Sequence, residues 1–268
     1  MSGFAEFRNR TWIHAILEMQ TALAVGSRLS LDPVGTDMPV IKDPEGKPFI
    51  PGSSIKGVVR FQAERMLRAV NRKPDFWACD PFDAPCVDAS RKETLWKRAG
   101  QNDEIFTREV FSESCTACRL FGSPWMAGRV AFKDARLENH EDLPVWTQIR
   151  DGVGIDRDLG AARAGVKYDF ETVVPGAQFR IEIVAENLEN WELGFILAVL
   201  RMWKEGGIAI GGKSTRGPGW GKLTDIQIYQ VTPDNLLDYL SSGQKAERKE
   251  DELIEAFMSW WRREGGHA

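Results

Sequence analysis

The chain has 268 residues, 43% hydrophobic and 28% charged, the balance of a soluble globular protein long enough to bury a large core. No apolar run reaches bilayer-spanning length, and the N-terminal MSGFAEFRNR lacks the apolar stretch of a secretory signal, which points to the cytoplasm and to no membrane partner. A net charge of −4 argues against indiscriminate nucleic-acid binding, so any such site must be a local basic stripe.

Trp12 to Val25 mixes alternation with apolar runs and predicts a strand in a central sheet. The long loop 26–37 follows, of a kind that is often functional, with carboxylates at Asp32 and Asp37. Val40-Ile41 and Phe49-Ile50 predict short strands around the turn Asp43-Pro44-Glu45-Gly46, in which Asp43 is structural. Pro51-Gly52-Ser53-Ser54 opens a helix, with Ser53 or Ser54 as N-cap and Ile55, Val58, Val59, Met66 and Val70 facing the core. Lys56 and Arg60 lie four apart on one face. A helix N-terminus with two stacked cations suits a phosphodiester backbone, although an ordinary solvated basic face has the same pattern. The stripe continues through Arg65, Arg68, Arg72 and Lys73, opposed only by Glu64.

Residues 74–118 read as an irregular insertion rich in Pro, Asp and charge, and they hold every cysteine: Cys79, Cys86, Cys115 and Cys118. A reducing compartment disfavours disulfides, and four thiolates gathered in one insertion suit tetrahedral Zn2+. The C-x2-C half has zinc-knuckle spacing and the C-x6-C half is looser. Four sulfur ligands leave no open coordination position, so such a zinc is structural. Unrelated buried cysteines are the alternative, but those scatter through core strands.

Arg129 to Leu137 predicts a strand, and Thr147 to Val174 a projecting hairpin whose arms, 149–155 and 168–174, flank a long mobile middle. Gln178 to Ala185 is another strand. Trp191 to Lys204 predicts a helix, with Asn190 as candidate N-cap, apolar on nearly all sides and therefore buried. The loop Gly211 to Gly221 holds five glycines in eleven residues, with Lys213 and Arg216. Glycines permit close approach to a phosphate, and the cations supply charge; a plain turn cluster is the alternative. Gly207 to Ser214 matches Gly-x4-Gly-Lys-Ser, but Gly217, Pro218 and Gly219 forbid the helix that a phosphate-binding P-loop must open. Lys222 to Gln230 closes the sheet, and 250–263 predicts an amphipathic C-terminal helix.

The segments PVIKDPEGKPFIPGSSIKG, CRLFGSP, GIDRDLG…VVPGAQF and GGKSTRGPGWGKL together resemble the RAMP superfamily, over about Trp12 to Leu223. More narrowly, they are similar to the repeated backbone subunit of type III CRISPR effector complexes, which serve antiviral defence. The resemblance implies an α+β fold: one modified ferredoxin- or RRM-like domain over 1–268, with a thumb hairpin at 147–175 and a zinc-binding insertion at 74–118. It implies stacking with copies of itself and other effector subunits along a guide CRISPR RNA. Guide phosphates would be held by Ser53, Ser54, Lys56 and Arg60 and by Gly211, Gly212, Lys213, Ser214, Arg216 and Gly217. The thumb, around Ile155 to Lys167, would interrupt the guide–target duplex. The aspartate that cuts target RNA in cleaving members matches Asp37, as an endoribonuclease using Mg2+ or another divalent ion; Asp32 is the rival position. Two other classes remain open: a purely architectural RNA-binding subunit, and a guide-RNA processing endonuclease. The thumb, the cysteine insertion and the presence of only three histidines, His14, His140 and His267, speak against the last.

Overall fold

The computed structural model describes residues 4–26 and 36–265. Asp32, most of the loop ahead of Asp37, and His267 therefore lie outside the described residues. The strands are β1 (Arg10–Met19), β2 (Phe49–Ile50), β3 (Val130–Phe132), β4 (Ala135–Leu137), β5 (Thr147–Ile155), β6 (Ala162–Val173), β7 (Gln178–Glu186), β8 (Gly221–Val231) and β9 (Ala246–Arg248). The helices are α1 (Gly52–Val70), α2 (Ala89–Arg98), α3 (Asp103–Glu113), α4 (Thr116–Phe121), α5 (Asn190–Lys204), α6 (Leu236–Ser242) and α7 (Glu250–Gly265).

This is a mixed α/β fold around an antiparallel sheet of order β2-β4-β7-β1-β8-β9, with β3 also paired to β7. In β1 the residues Thr11, Ile13, Ala15, Leu17 and Met19 are buried and alternate with more accessible ones, the signature of a sheet covered on one face. The strand stops at Met19 rather than reaching Val25. Gln20 and Thr21 both donate their N–H to the Trp220 carbonyl, at 2.9 and 3.1 Å, and Leu23 instead bridges Val173 at the end of β6.

Helix α5 is buried as its composition requires, through Leu193, Phe195, Ile196, Leu197, Leu200 and Trp203. It begins one residue earlier than expected. Glu189, not Asn190, is the N-cap, and its N–H donates to Glu192 Oε2 at 2.9 Å. Glu192 also takes both terminal nitrogens of the buried Arg129, so each charge has a partner out of water. Helix α7 packs across α5 at Gly194, where a Cβ would lie 2.0 Å from the Leu253 carbonyl oxygen. Trp191 stacks on Trp260 beside this contact, centroids 4.1 Å apart.

Two irregular stretches turn out ordered. The 74–118 segment contains α2, α3 and the start of α4, and α2 and α3 share a small core of Val87, Leu95 and Val110. Its caps are local and readable: the Asp88 carboxylate accepts the Arg91 N–H at 2.7 Å, and Asn102 Oδ1 accepts that of Ile105 at 3.0 Å. The hairpin strands run further than the expected arms, leaving only residues 156–161 as a tip. There Asp156 Oδ1 accepts the N–H groups of Asp158 and Leu159, at 3.0 and 3.1 Å. Gly152 and Gly154 make the pairing possible, because Tyr168 and Val166 side chains occupy the space a Cβ would need, at 2.3 and 2.7 Å. Among the described residues no helix is long and apolar enough to cross a membrane.

Candidate functional site

Asp37 is exposed, at the start of a segment that runs along the base of the hairpin. Met38 bridges Phe170 in parallel, and its carbonyl accepts the Glu171 N–H at 3.0 Å. Glu171 is buried and fixes the next two steps: Oε2 accepts the Val40 N–H at 3.1 Å, and Oε1 takes Lys42 Nζ at 2.6 Å. Burial pushes the Glu171 pKa up, but the Lys42 ammonium, the Thr147 hydroxyl and the Val40 N–H outweigh it and leave the carboxyl below its usual range. One residue further out, Asp37 and Asp169 grip each other. The Asp37 N–H donates to Asp169 Oδ1 at 3.1 Å, and the Asp169 N–H donates to Asp37 Oδ2 at 3.3 Å.

The glycine loop closes on the same place. Lys213, at φ +62°, sets its Nζ 4.6 Å from the Phe170 ring centroid, 5.2 Å from that of Tyr168 and 3.3 Å from Met38 Sδ. Arg216 Nη1 donates to the Tyr168 hydroxyl at 2.9 Å. Asp37, Lys213 and Arg216 are thus gathered at one hairpin base, although the chain separates them widely. The structure gives two of these glycines a packing duty. A Cβ at Gly211 would sit 2.5 Å from the Ala24 oxygen, and one at Gly219 2.4 Å from that of Ile210. Gly212 donates its N–H to the Ala24 carbonyl at 2.7 Å, so the loop is laid on its own chain. Ser214–Arg216 is only a three-residue 3-10 turn, and no α-helix follows the Gly-Lys-Ser match.

Helix α1 presents a different picture from the one expected. Its N-cap is Pro51, not Ser53 or Ser54, and neither serine side chain caps it. The first helical N–H, that of Gly52, donates to the Asp134 carboxylate at 2.7 Å. Gly52 is needed because β3 passes so close that a Cβ would lie 2.2 Å from the Phe132 oxygen. Ser53 is exposed, and Ser54, Lys56 and Arg60 are half-buried. Glu64 is buried and paired twice, with Arg60 Nε at 2.7 Å and Arg68 Nη2 at 3.0 Å. Arg60 Nη1 also donates to the Gly122 carbonyl at 3.1 Å, and Arg68 Nη2 to that of Cys79 at 2.8 Å. Arg72 lies over Trp261 and Lys73 over Trp77. A groove of about 470 Å³ runs between α1 and the glycine loop, with Phe61, Arg65, Ser214 and Trp220 in its walls.

The four cysteines converge. Their sulfurs all lie within 4.8 Å of one another, with Cys79, Cys115 and Cys118 buried and Cys86 half-buried. Cys79 Sγ is 3.7 Å from Cys118 Sγ and 3.6 Å from Cys115 Sγ. Tetrahedral ligands at about 2.3 Å from a zinc ion are roughly 3.8 Å apart, so the donor set fits that ion in number, element and spacing. Hydrogen bonds from the Cys118 and Cys79 thiols hold Cys115 down to about 7. Cys86 is lowered too, chiefly by Cys115, whereas Cys79 and Cys118 are raised, each chiefly by its hydrogen bond to Cys115. Sulfurs this close compete for protons, and a soft cation that takes them all as thiolates removes the competition. Lys56 and Arg60 line a cleft of about 490 Å³ together with Cys79, Cys86 and Cys118.

Asp169, Glu171, Lys42 and Tyr168 escaped the sequence reading. The Asp37–Asp169 contact spans 132 positions, and no local spacing rule reaches that far. The only available sign was polar residues alternating with Tyr168, Phe170 and Thr172 at the hairpin base.

Residues 16–222 match the family model described as the RAMP superfamily, and the chain belongs to that superfamily. It is similar to proteins named CRISPR system Cms endoribonuclease Csm3. That of Methanocaldococcus jannaschii is 26% identical over 257 residues, covering 92% of this chain and 90% of the relative. That of Methanothermobacter thermautotrophicus is 27% identical over 222 residues, 78% of this chain and 81% of the relative. That of Mycobacterium tuberculosis is 27% identical over 183 residues, 65% of this chain and 63% of the relative.

Glu171→Ala removes the acceptor of the Val40 N–H and the partner of Lys42. A hydrogen bond to a charged group contributes about 1.5–3 kcal/mol, so hydrogen exchange at Val40 is expected to quicken about ten-fold or more. Because the folded pKa of Glu171 is depressed, its contribution is complete above the ordinary glutamate value of about 4.3 and disappears as pH falls through the lower folded value. Val40 protection in the unaltered protein therefore persists at pH 5 and declines only in stronger acid. Unchanged exchange in Glu171→Ala would contradict this account.

Proposed function

We propose that this RAMP protein is a repeated backbone subunit of a type III CRISPR effector complex in the cytoplasm, and that it cuts complementary target RNA at Asp37. It would stack on copies of itself and on other effector subunits along a guide RNA. The observation that carries the reading is the exposed Asp37 at the foot of a projecting hairpin, where Lys213 reaches the neighbouring Met38 and Arg216 reaches Tyr168. The endoribonuclease names of the relatives support the same activity. In this reading the sheet and its helices are the ferredoxin- or RRM-like core of one domain, and β5–β6 is the thumb that splays a nucleotide out of the guide–target duplex. Ser53, Ser54, Lys56 and Arg60 and the loop 211–217 hold guide phosphates. A groove with Phe61 and Arg65 of α1 on one side and Ser214 and Trp220 of the glycine loop on the other lies between the two elements.

The chemistry needs little machinery because RNA carries its own nucleophile. The 2′-oxygen attacks the adjacent phosphorus in line and the bond to the 5′-oxygen breaks, leaving a 2′,3′-cyclic phosphate and a 5′-hydroxyl. Asp37 orients the attacking hydroxyl, and the nearby cations offset charge on the phosphate. The exposed Asp37 carboxylate offers the oxygen donor that Mg2+ prefers, and that ion would neutralise phosphate charge there. A purely architectural, non-cleaving subunit is the second reading. It is favoured by the bond from the Asp169 N–H, which gives the Asp37 carboxylate a structural duty.

Asp37→Ala distinguishes them. The substitution removes a carboxylate and leaves Lys56, Lys213 and Arg216 in place, so guide and target binding are expected to persist while cleavage of a labelled complementary RNA is lost. Undiminished cutting by the reconstituted Asp37→Ala complex would reject the assignment and move attention to Asp32. No cutting by the unaltered complex would favour the architectural reading.

The cysteine cluster is proposed to hold one structural Zn2+, its four sulfurs filling the coordination sphere. Metal analysis is expected to find about one zinc per chain, and Cys118→Ser to lower both metal content and thermal stability. Zinc-free protein that stays fully folded would refute it.

A further inference from the structure

We infer that Asp169 is a positioning residue for RNA cleavage, setting the Asp37 peptide and carboxylate in register with the hairpin base; the inference rests on the catalytic role proposed for Asp37. Two hydrogen bonds carry it. Asp169 Oδ1 accepts the Asp37 N–H at 3.1 Å, which fixes the peptide that precedes the Asp37 side chain. The Asp169 N–H donates to Asp37 Oδ2 at 3.3 Å, which fixes the carboxylate itself. A group held at both its backbone and its tip has lost the rotamer freedom that otherwise dilutes a productive geometry.

The neighbours of Asp169 extend the argument. Tyr168, on one side, accepts from Arg216 and lies under Lys213. Phe170, on the other, bridges Met38 and also lies under Lys213. Three consecutive residues of β6 therefore position both cations and the carboxylate. Because β6 is one arm of the hairpin, any displacement of that arm is transmitted to Asp37 through the Asp169 pair. Thr172 and Glu171 anchor the same strand deeper in the protein, where both are buried. Asp169 is the link in this chain of contacts that touches Asp37 directly.

The contact asks for an acceptor at Asp169 and does not ask for a charge. Asp169→Ala removes the acceptor; Asp169→Asn keeps a carbonyl oxygen in its place. In the reconstituted complex with guide RNA, at saturating complex, the single-turnover rate of target cleavage is expected to fall about ten-fold or more in Asp169→Ala, since small misplacements of reacting groups have effects of that order. Target affinity and melting temperature are expected to stay as in the unaltered complex. Asp169→Asn is expected to restore the rate to within about three-fold.

Asp37→Ala is assayed beside them. If Asp37→Ala cuts normally, the catalytic assignment itself has failed. If Asp37→Ala is dead and Asp169→Ala cuts at full rate, the positioning role is overturned and the assignment stands. Equal loss in Asp169→Ala and Asp169→Asn would overturn it in favour of a requirement for the charge. Loss of cleavage only in proportion to lost binding or stability would overturn it in favour of a structural contact.

Discussion

The Glu171 carboxylate is the interaction on which the candidate site depends. It lies buried at the end of β6 and faces a backbone N–H and an ammonium, both from the segment that follows Asp37. A buried carboxylate without those partners would be costly, so the segment is drawn against the hairpin by the need to satisfy it. Once Val40 and Lys42 are seated, Met38 is brought opposite Phe170 and Asp37 opposite Asp169. The glycine loop then fits over Phe170 and Tyr168, because Gly211 and Gly219 allow it to lie against the backbone of Ala24 and Ile210. A carboxylate, two cations and the foot of the hairpin are assembled from three distant parts of the chain by one buried charge and two close backbone contacts.

The region of α1 and the cysteine cluster is tied together by a comparable device. Glu64 is paired with both Arg60 and Arg68 inside α1. Arg68 reaches the carbonyl of Cys79, and Arg60 that of Gly122. The cysteine cluster is thereby keyed to the helix that carries the proposed guide contacts. Arg60 consequently has less freedom to follow a phosphate than the exposed basic stripe suggested. Its fixed guanidinium suits a preformed contact better than an adaptable one.

The sequence displayed some of this architecture plainly. β1 is legible as alternation, α5 as a helix too apolar for any surface, and the cysteine grouping as a spacing pattern. Each of those signals is local or compositional. The N-terminus of α1 is not legible locally, because the acceptor for its Gly52 N–H is Asp134, 82 positions away, rather than a serine beside it. Asp37 stood out only by family resemblance, since an isolated loop aspartate carries no spacing signal. Asp169, Glu171 and Lys42 were invisible for a related reason: their meaning lies in strand register, which is set by tertiary packing. The caps of α2 and α3, at Asp88 and Asn102, are by contrast local, each three residues ahead of the N–H it accepts.

The central claim is that the cluster around Asp37 orients a 2′-hydroxyl for attack on its own phosphate. It is tested most directly with a target RNA carrying one 2′-deoxy nucleotide immediately 5′ of a mapped scissile phosphate. The account predicts that cleavage vanishes at that phosphate alone, that neighbouring sites are cut at their normal rate, and that the remaining products end in 2′,3′-cyclic phosphate. Normal cutting at the deoxy position, with a 3′-hydroxyl or 5′-phosphate product, would mean that water is the nucleophile and would contradict it.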